Sequence, residues 1–255
     1  MPTQNSSQRR SAARTAVVWD ALQDVLASIP TDTSDGTDTP DGKAASVIDI
    51  GGGTGGFAVR VAELGHRVTV IDPSPDALAA LGRRAAESGV AELVTGQQGD
   101  LATLLDLVPE QSADVVLCHG VLEIVDDPAA ALDTIARVLR PGGTLSLLVN
   151  QRHAAVVARA MAGHFVQAKA LLDDPAAGAT TRRFTAEEIT TVLDGAGFDT
   201  TSVHAVRVFA DLVPSSLVDL EPGAAGALVE LEQAVADRPE YLALATQLHA
   251  VAARR

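Results

Sequence analysis

The chain has 255 residues, 47% of them hydrophobic but only 3% aromatic, and a formal net charge of −14. That length supports one substantial aliphatic core with room for a small appended lobe. The acidity argues against a general nucleic-acid binder, so any nucleic-acid contact needs a local basic patch. A single cysteine, Cys118, excludes an internal disulfide and fits a reducing cytoplasm. The first twenty residues lack the continuous apolar stretch of a secretory signal, and no run of about 18 apolar residues predicts a membrane span.

Ala16, Trp19, Leu22, Leu26 and Ile29 recur at helical spacing and predict an amphipathic helix over 11–29. Residues 31–42, TDTSDGTDTPDG, hold no large apolar side chain and read as a flexible linker. The expected organisation is therefore an N-terminal helix in 1–30, that linker, and one domain over 43–255. From Ser46 onward, short apolar runs alternate with helical patterns. SVIDI and RVTVID predict strands at 46–50 and 67–72, with a helix over 55–65 between them. A helix follows from Ser74 as N-cap and Pro75 at its first position. A weak strand is expected within AELVTGQQGD, a fourth in ADVVLCHG, a helix over 128–139 stopped by Pro141, and a fifth strand in GTLSLLVN. This alternation implies an α/β, doubly wound, Rossmann-like sheet with helices on both faces. Continuously apolar runs such as VVLC are what buried parallel strands require.

Residues 151–183 break the rhythm and read as a helical insertion, a lid at the carboxyl edge of the sheet. Thr185 and Glu188 are spaced as a capping box for the next helix. TTSVHAVRVFA and the terminal QLHAVAA then predict an antiparallel pair, for seven strands in all.

The densest signal is VIDIGGGTGG at 47–56, with five glycines in six residues between a strand and a helix. At such a turn free N–H groups face outward, and missing side chains admit a ligand to the backbone. A phosphate loop of the Gly-Lys-Ser/Thr type is excluded, because Phe57 and Ala58 follow Gly56. Gly51, Gly53 and Gly56 satisfy a dinucleotide fingerprint, with Asp72 as the ribose-binding acid. Asp49, Gly51, Gly53 and Gly55 equally satisfy the acid-x-Gly-x-Gly-x-Gly pattern of an S-adenosylmethionine site, again with Asp72. The glycines do not separate the two. The Tyr-x-x-x-Lys of short-chain hydride-transfer enzymes is absent, since the only tyrosine is Tyr241 and position 245 is Ala. The six histidines are scattered and no Cys-x-x-Cys occurs, so no metal site is expected.

With RTAVVW (14–19), DIGGGTG, LGHRVTVID, LCHGVLEIVDDP, VLRPGGTLSL, AGHF, VRVF and LHAVAAR, the chain resembles class I S-adenosylmethionine-dependent methyltransferases. More narrowly, it resembles the tRNA 5-carboxymethoxyuridine methyltransferase family. The resemblance implies the class I seven-stranded fold and S-adenosylmethionine as cofactor. It also implies a methyl ester made on a carboxylate at the wobble base of certain tRNAs. It puts Arg14 near the methionine carboxylate of the cofactor and Gly51 and Gly52 beneath that moiety. Asp72 falls on the ribose hydroxyls with Pro73 beside it. Gln98, Gly99 and Asp100 fall by the adenine, and His119 faces the cofactor at the end of the fourth strand.

The lid carries Arg152, Arg159, Lys169, Arg182 and Arg183 against Asp173 and Asp174, a basic island in an acidic chain. Arg152, Arg182, Arg183 and Arg207 are expected to meet above the strand ends and grip an anionic acceptor through their planar forks. An ionised carboxylate needs no base; an acceptor carrying a proton would need one, with His119 and His153 as candidates. LLDDPAAGATTRR replaces the lysine-rich lid stretch common in the narrower family. A small-molecule O- or N-methyltransferase and a non-catalytic cofactor-binding regulator are the alternatives.

Overall fold

The structure, a computed structural model, describes residues 6–29, 44–173, 181–220 and 223–255. The expected linker at 31–42 and the side chain of Arg14 lie outside the described residues. In chain order the elements are α1 (Ser6–Ala27), β1 (Ser46–Ile50), α2 (Ala58–Glu63), β2 (Arg67–Asp72), α3 (Pro75–Glu87), β3 (Val94–Gln98), α4 (Leu104–Leu107), β4 (Ala113–His119) and α5 (Pro128–Val138). They continue as β5 (Leu139–Asn150), α6 (Arg152–Met161), α7 (Phe165–Asp173), α8 (Ala186–Gly195), β6 (Phe198–Val206), α9 (Ser215–Leu220), α10 (Ala224–Val235), α11 (Pro239–Leu242) and β7 (Gln247–Arg254).

Seven strands form one sheet in the order β3-β2-β1-β4-β5-β7-β6. The first five run parallel, and β7 lies antiparallel between β5 and β6. The strand order reverses between β1 and β4, the point where ligands bind in open α/β sheets. Strand periodicity sorts the core into two faces. Val47, Val115 and Leu117 pack under α1, α2 and α3 through Leu22, Val59 and Leu81. Ile48, Ile50, Val116 and Cys118 face α5 and α8 through Ile135, Ile189 and Leu193. Burial there pushes the Cys118 thiol pKa up to about 12, so it is an inert core residue.

The start signals act as expected. Ser74 accepts the Ala77 N–H at 3.2 Å, and the capping box of Thr185 and Glu188 closes both ways. Some boundaries differ. Helix α2 starts at Ala58 rather than 55, because turns use up the residues from Gly51 to Phe57. Strand β5 begins at Leu139, taking in Leu139–Gly142 ahead of the expected start at Gly143. Helix α1 packs at both ends, Val17 and Val18 with Val206 and Ala236, and Leu22 and Leu26 with the strands and helices of the main core. No described helix is long and apolar enough to cross a membrane.

Candidate functional site

The glycine turn is crowded from within. Gly51, Gly53 and Gly55 have φ of +70°, +55° and +79°, a region that costs any other residue free energy. A Cβ on Gly51 would sit 2.5 Å from Val121, one on Gly52 2.4 Å from the Asp49 carboxylate, and one on Gly55 2.2 Å from Leu81. At these three positions the close approach is made by the protein's own side chains. Gly56 is different, because nothing lies within 4 Å of its missing Cβ. Gly51, Thr54 and Gly56 remain exposed at the carboxyl end of β1, where a ligand can reach the backbone.

Asp72 ends β2 and is itself nearly buried. Its Oδ2 accepts the Gly53 N–H at 2.9 Å and its Oδ1 the Ser74 N–H at 2.9 Å. One carboxylate thus ties the glycine turn to the start of α3, and each oxygen retains a lone pair for a further donor. Gln98 reaches back to the Pro73 carbonyl at 3.2 Å, and Gly99 N–H to the Asp72 carbonyl at 3.2 Å. Asp100 is committed locally: its Oδ1 accepts from the N–H groups of Ala102 and Thr103. Asp49 is buried below Gly52, and burial, with Asp72 nearby, raises its pKa to about 7.

His119 ends β4, with its ring edge-on to Phe57 at 4.9 Å. Its Nε2 lies 2.9 Å from Ser146 Oγ, which lies 2.8 Å from Nε2 of the fully buried His249. Nδ1 of each histidine is buried with no partner among the described residues. Burial pulls the pKa of His119 down to about 4 and that of His249 well below its usual value. His249 stacks on His204, whose Nδ1 meets Asp237 at 2.5 Å. A polar row therefore crosses β4, β5, β7 and β6 on the α1 face.

The arginines divide into two groups. Arg152, Arg182 and Arg183 line a cavity of about 620 Å³ with Glu123, Asp126, Asp127 and Glu188. Arg152 pairs with Glu188, and Arg182 N–H donates to the Glu123 carbonyl at 2.8 Å. Burial, and repulsion from Arg159, lower the pKa of Arg183. The lining residues include none of the glycine turn, Asp72 or His119. Arg207 is not among them either. It sits at the end of β6, with its guanidinium 2.5 Å from Asp211 and 3.2 Å from Gln247. The 120–128 loop presents Val121 to the glycine turn and Glu123–Pro128 to the cavity. His153 lies at 3.5 Å from Gln151, near the start of α6.

Residues 48–147 match the family model of a methyltransferase domain. The chain is 29% identical over 244 residues to the tRNA 5-carboxymethoxyuridine methyltransferase of Escherichia coli K12, covering 94% of this chain and 87% of that one. An S-adenosylmethionine-dependent methyltransferase from Mesorhizobium loti superposes with a TM-score of 0.58 at 21% identity, over 95% of this chain and all of that one. The magnesium protoporphyrin IX methyltransferase of Synechocystis, solved with bound S-adenosylhomocysteine, gives 0.62 at 15% identity, over 100% and 90%. The chain carries an S-adenosylmethionine-dependent methyltransferase domain on the class I fold. The methyltransferase has features that fit the cofactor: exposed glycine backbone at the switch point, the Asp72 carboxylate beside it, and the unpartnered Nδ1 of His119. Among the described residues no group of His, Cys, Asp or Glu could hold a metal ion.

Four residues of this region escape a sequence reading: Val121, Ser146, Glu232 and His249. Each is defined by a partner far along the chain. Only the odd-numbered placement of His249 in QLHAVAA, facing away from Leu248 and Ala250, carries a trace of its role.

Proposed function

We propose that this methyltransferase acts on an anionic acceptor, the carboxylate of a carboxymethoxy-modified wobble uridine in tRNA, and makes a methyl ester. The observation that carries this reading is the span of the match to the Escherichia coli tRNA enzyme. It reaches across 94% of the chain, well beyond the 48–147 segment common to methyltransferase domains in general. The α6–α7 hairpin after β5 is the acceptor lid in this reading, and the tRNA is its partner.

The chemistry agrees. S-adenosylmethionine, when bound, supplies an electrophilic methyl group. The protein then has to hold the acceptor oxygen in line with it and exclude water. Gly51, Gly53 and Asp72 are the candidates to hold the cofactor, and His119 borders it. Arg207 is the candidate for the acceptor carboxylate, through the charge-assisted bonds that a planar guanidinium makes well. A carboxylate is ionised at neutral pH and requires no proton removal. His119, held down to about 4 by burial and bonded to Ser146, would be a weak base. The site thus matches an acceptor that arrives as an anion.

Incubation with isotopically labelled S-adenosylmethionine, a tRNA pool and a metabolite extract, followed by mass spectrometry, tests the reading. The expected product is a labelled nucleoside ester that releases methanol in mild alkali. An alkali-stable product, or label only in small metabolites, overturns it in favour of O- or N-methylation.

A further inference from the structure

Arg207 holds φ of +60°, a conformation shared among described non-glycine residues only with Gln111. A bulky side chain in that region carries a free-energy cost and persists only where the surroundings enforce it. The enforcement is visible. The next three backbone N–H groups all donate to one carboxylate, that of Glu232 on α10. Val208 reaches Oε2 at 2.9 Å, while Phe209 and Ala210 reach Oε1 at 2.8 and 2.7 Å. Glu232 is fully buried, so the three bonds act without competition from water. The turn is thereby wrapped around an anion, and Arg207 is the residue at its mouth.

The side chain is fixed as well. Asp211 and Gln247 hold the two ends of the guanidinium, and Nε is buried without a partner. Gln247 pairs with Asn150 at the end of β5, so the fork sits at the carboxyl edge of the sheet. The same helix also reaches α1. Gln233, adjacent to Glu232, donates to Asp20 at 2.5 Å, and Ala236 packs with Val17 and Val18.

We infer that Glu232 is a positioning residue for methyl transfer: by gathering the N–H groups of residues 208–210, it sets Arg207 in the orientation that engages the acceptor anion. The inference rests on the reading that Arg207 meets the acceptor carboxylate. Glu232 touches neither cofactor nor acceptor and acts through the turn alone. Gln at this position keeps one accepting oxygen but turns an NH₂ donor toward a backbone N–H. Asp keeps the charge and loses reach.

Steady-state kinetics on the full chain test this, with S-adenosylmethionine and tRNA bearing 5-carboxymethoxyuridine. Arg207→Gly, which tolerates φ of +60°, should cut kcat/KM for tRNA sharply while the Kd for S-adenosylmethionine is unchanged. Glu232→Gln should raise the tRNA KM or lower kcat by about tenfold, again with unchanged cofactor Kd. In the Arg207→Gly background, Glu232→Gln should have no further effect on tRNA kinetics, although it still lowers the melting temperature. Glu232→Asp should recover part of the loss. If Glu232→Gln does not fold, Glu232→Asp carries the same comparison in both backgrounds. An equal kinetic penalty for the Glu232 variant with and without Arg207, or no penalty in either, overturns the positioning role. Unchanged tRNA kinetics in Arg207→Gly overturns the underlying reading instead.

Discussion

In the β1–β3 half of the sheet, the polar groups of the site work over short distances in sequence. Asp72 binds Ser74 two residues on and Gly53 nineteen residues back, and Asp100 closes its own turn. In the β5–β7 half the corresponding contacts cross long stretches of chain. Ser146 meets His249 over 103 residues, and Gln233 reaches Asp20 over 213. The first half is a local device, specified by a turn and the caps around it. The second is assembled only when β7 inserts between β5 and β6. In the proposed reading the local half serves a cofactor shared by many methyltransferases, while the half assembled at long range holds Arg207, the candidate contact to a particular acceptor.

The largest expected effect comes from breaking the local half. Gly55→Ala combines a positive φ with a Cβ 2.2 Å from Leu81 Cδ1, deep in the α3 packing. Strain and overpacking together should cost about 2–4 kcal/mol. Chemical denaturation reads this directly. Pairing the change with Leu81→Ala should recover the overpacking part, since the two sites share one contact. A fully stable Gly55→Ala protein that merely fails to bind cofactor would mean that the glycine serves the ligand and not the loop.

A smaller loss is expected from the long-range half. Ser146→Ala leaves Nε2 of both His119 and His249 without a partner in a buried site, which should cost about 1–3 kcal/mol. The serine has one proton to share between two ring nitrogens. It therefore donates to one ring and accepts from the other, and the tautomers of the two histidines are linked. Nitrogen-15 spectra of the imidazoles should show each neutral ring in a single tautomer in the parent and exchange between tautomers in the variant. Sharp, unchanged ring signals in Ser146→Ala would show that the row is not coupled through Ser146.

The same contrast explains what was legible beforehand. The strand–turn–helix order, the Ser74 and Thr185 caps, the switch-point glycines and the acid at the end of β2 depend on residue type within a few positions, and all can be read from the chain. Helix α10 has no such marks: it opens on Ala-Ala-Gly-Ala, with Gly223 as a side-chain-free cap. Its function resides in Glu232, whose burial follows from tertiary packing and not from its type. Arg152, Arg182 and Arg183 line one cavity, whose lining holds none of the glycine turn, and only tertiary packing decides that. Nor does glycine density alone tell a ligand's space from the protein's own, since Val121, Asp49 and Leu81 crowd three of the five positions.

Asp49 offers the finest probe of the local half, because its carboxylate lies directly below Gly52 and its pKa is raised to about 7 by burial and then by Asp72. Below pH 7 the group is mainly protonated and neutral; above it, mainly anionic. The sulfonium of S-adenosylmethionine is cationic throughout, so it favours the ionised form, and binding should release a proton. Affinity should therefore rise with pH between 5.5 and 7, by no more than about tenfold per pH unit, the limit for one linked proton. His119 does not titrate in this window, since burial holds it to about 4. In Asp49→Asn the slope should vanish while the turn stays intact, because an amide of the same shape remains below Gly52. Isothermal calorimetry across the range, in buffers of different ionisation enthalpy, measures both affinity and proton count. A flat profile in the parent, or an unchanged slope in Asp49→Asn, would place the linked proton elsewhere and leave Asp49 as a structural acid alone.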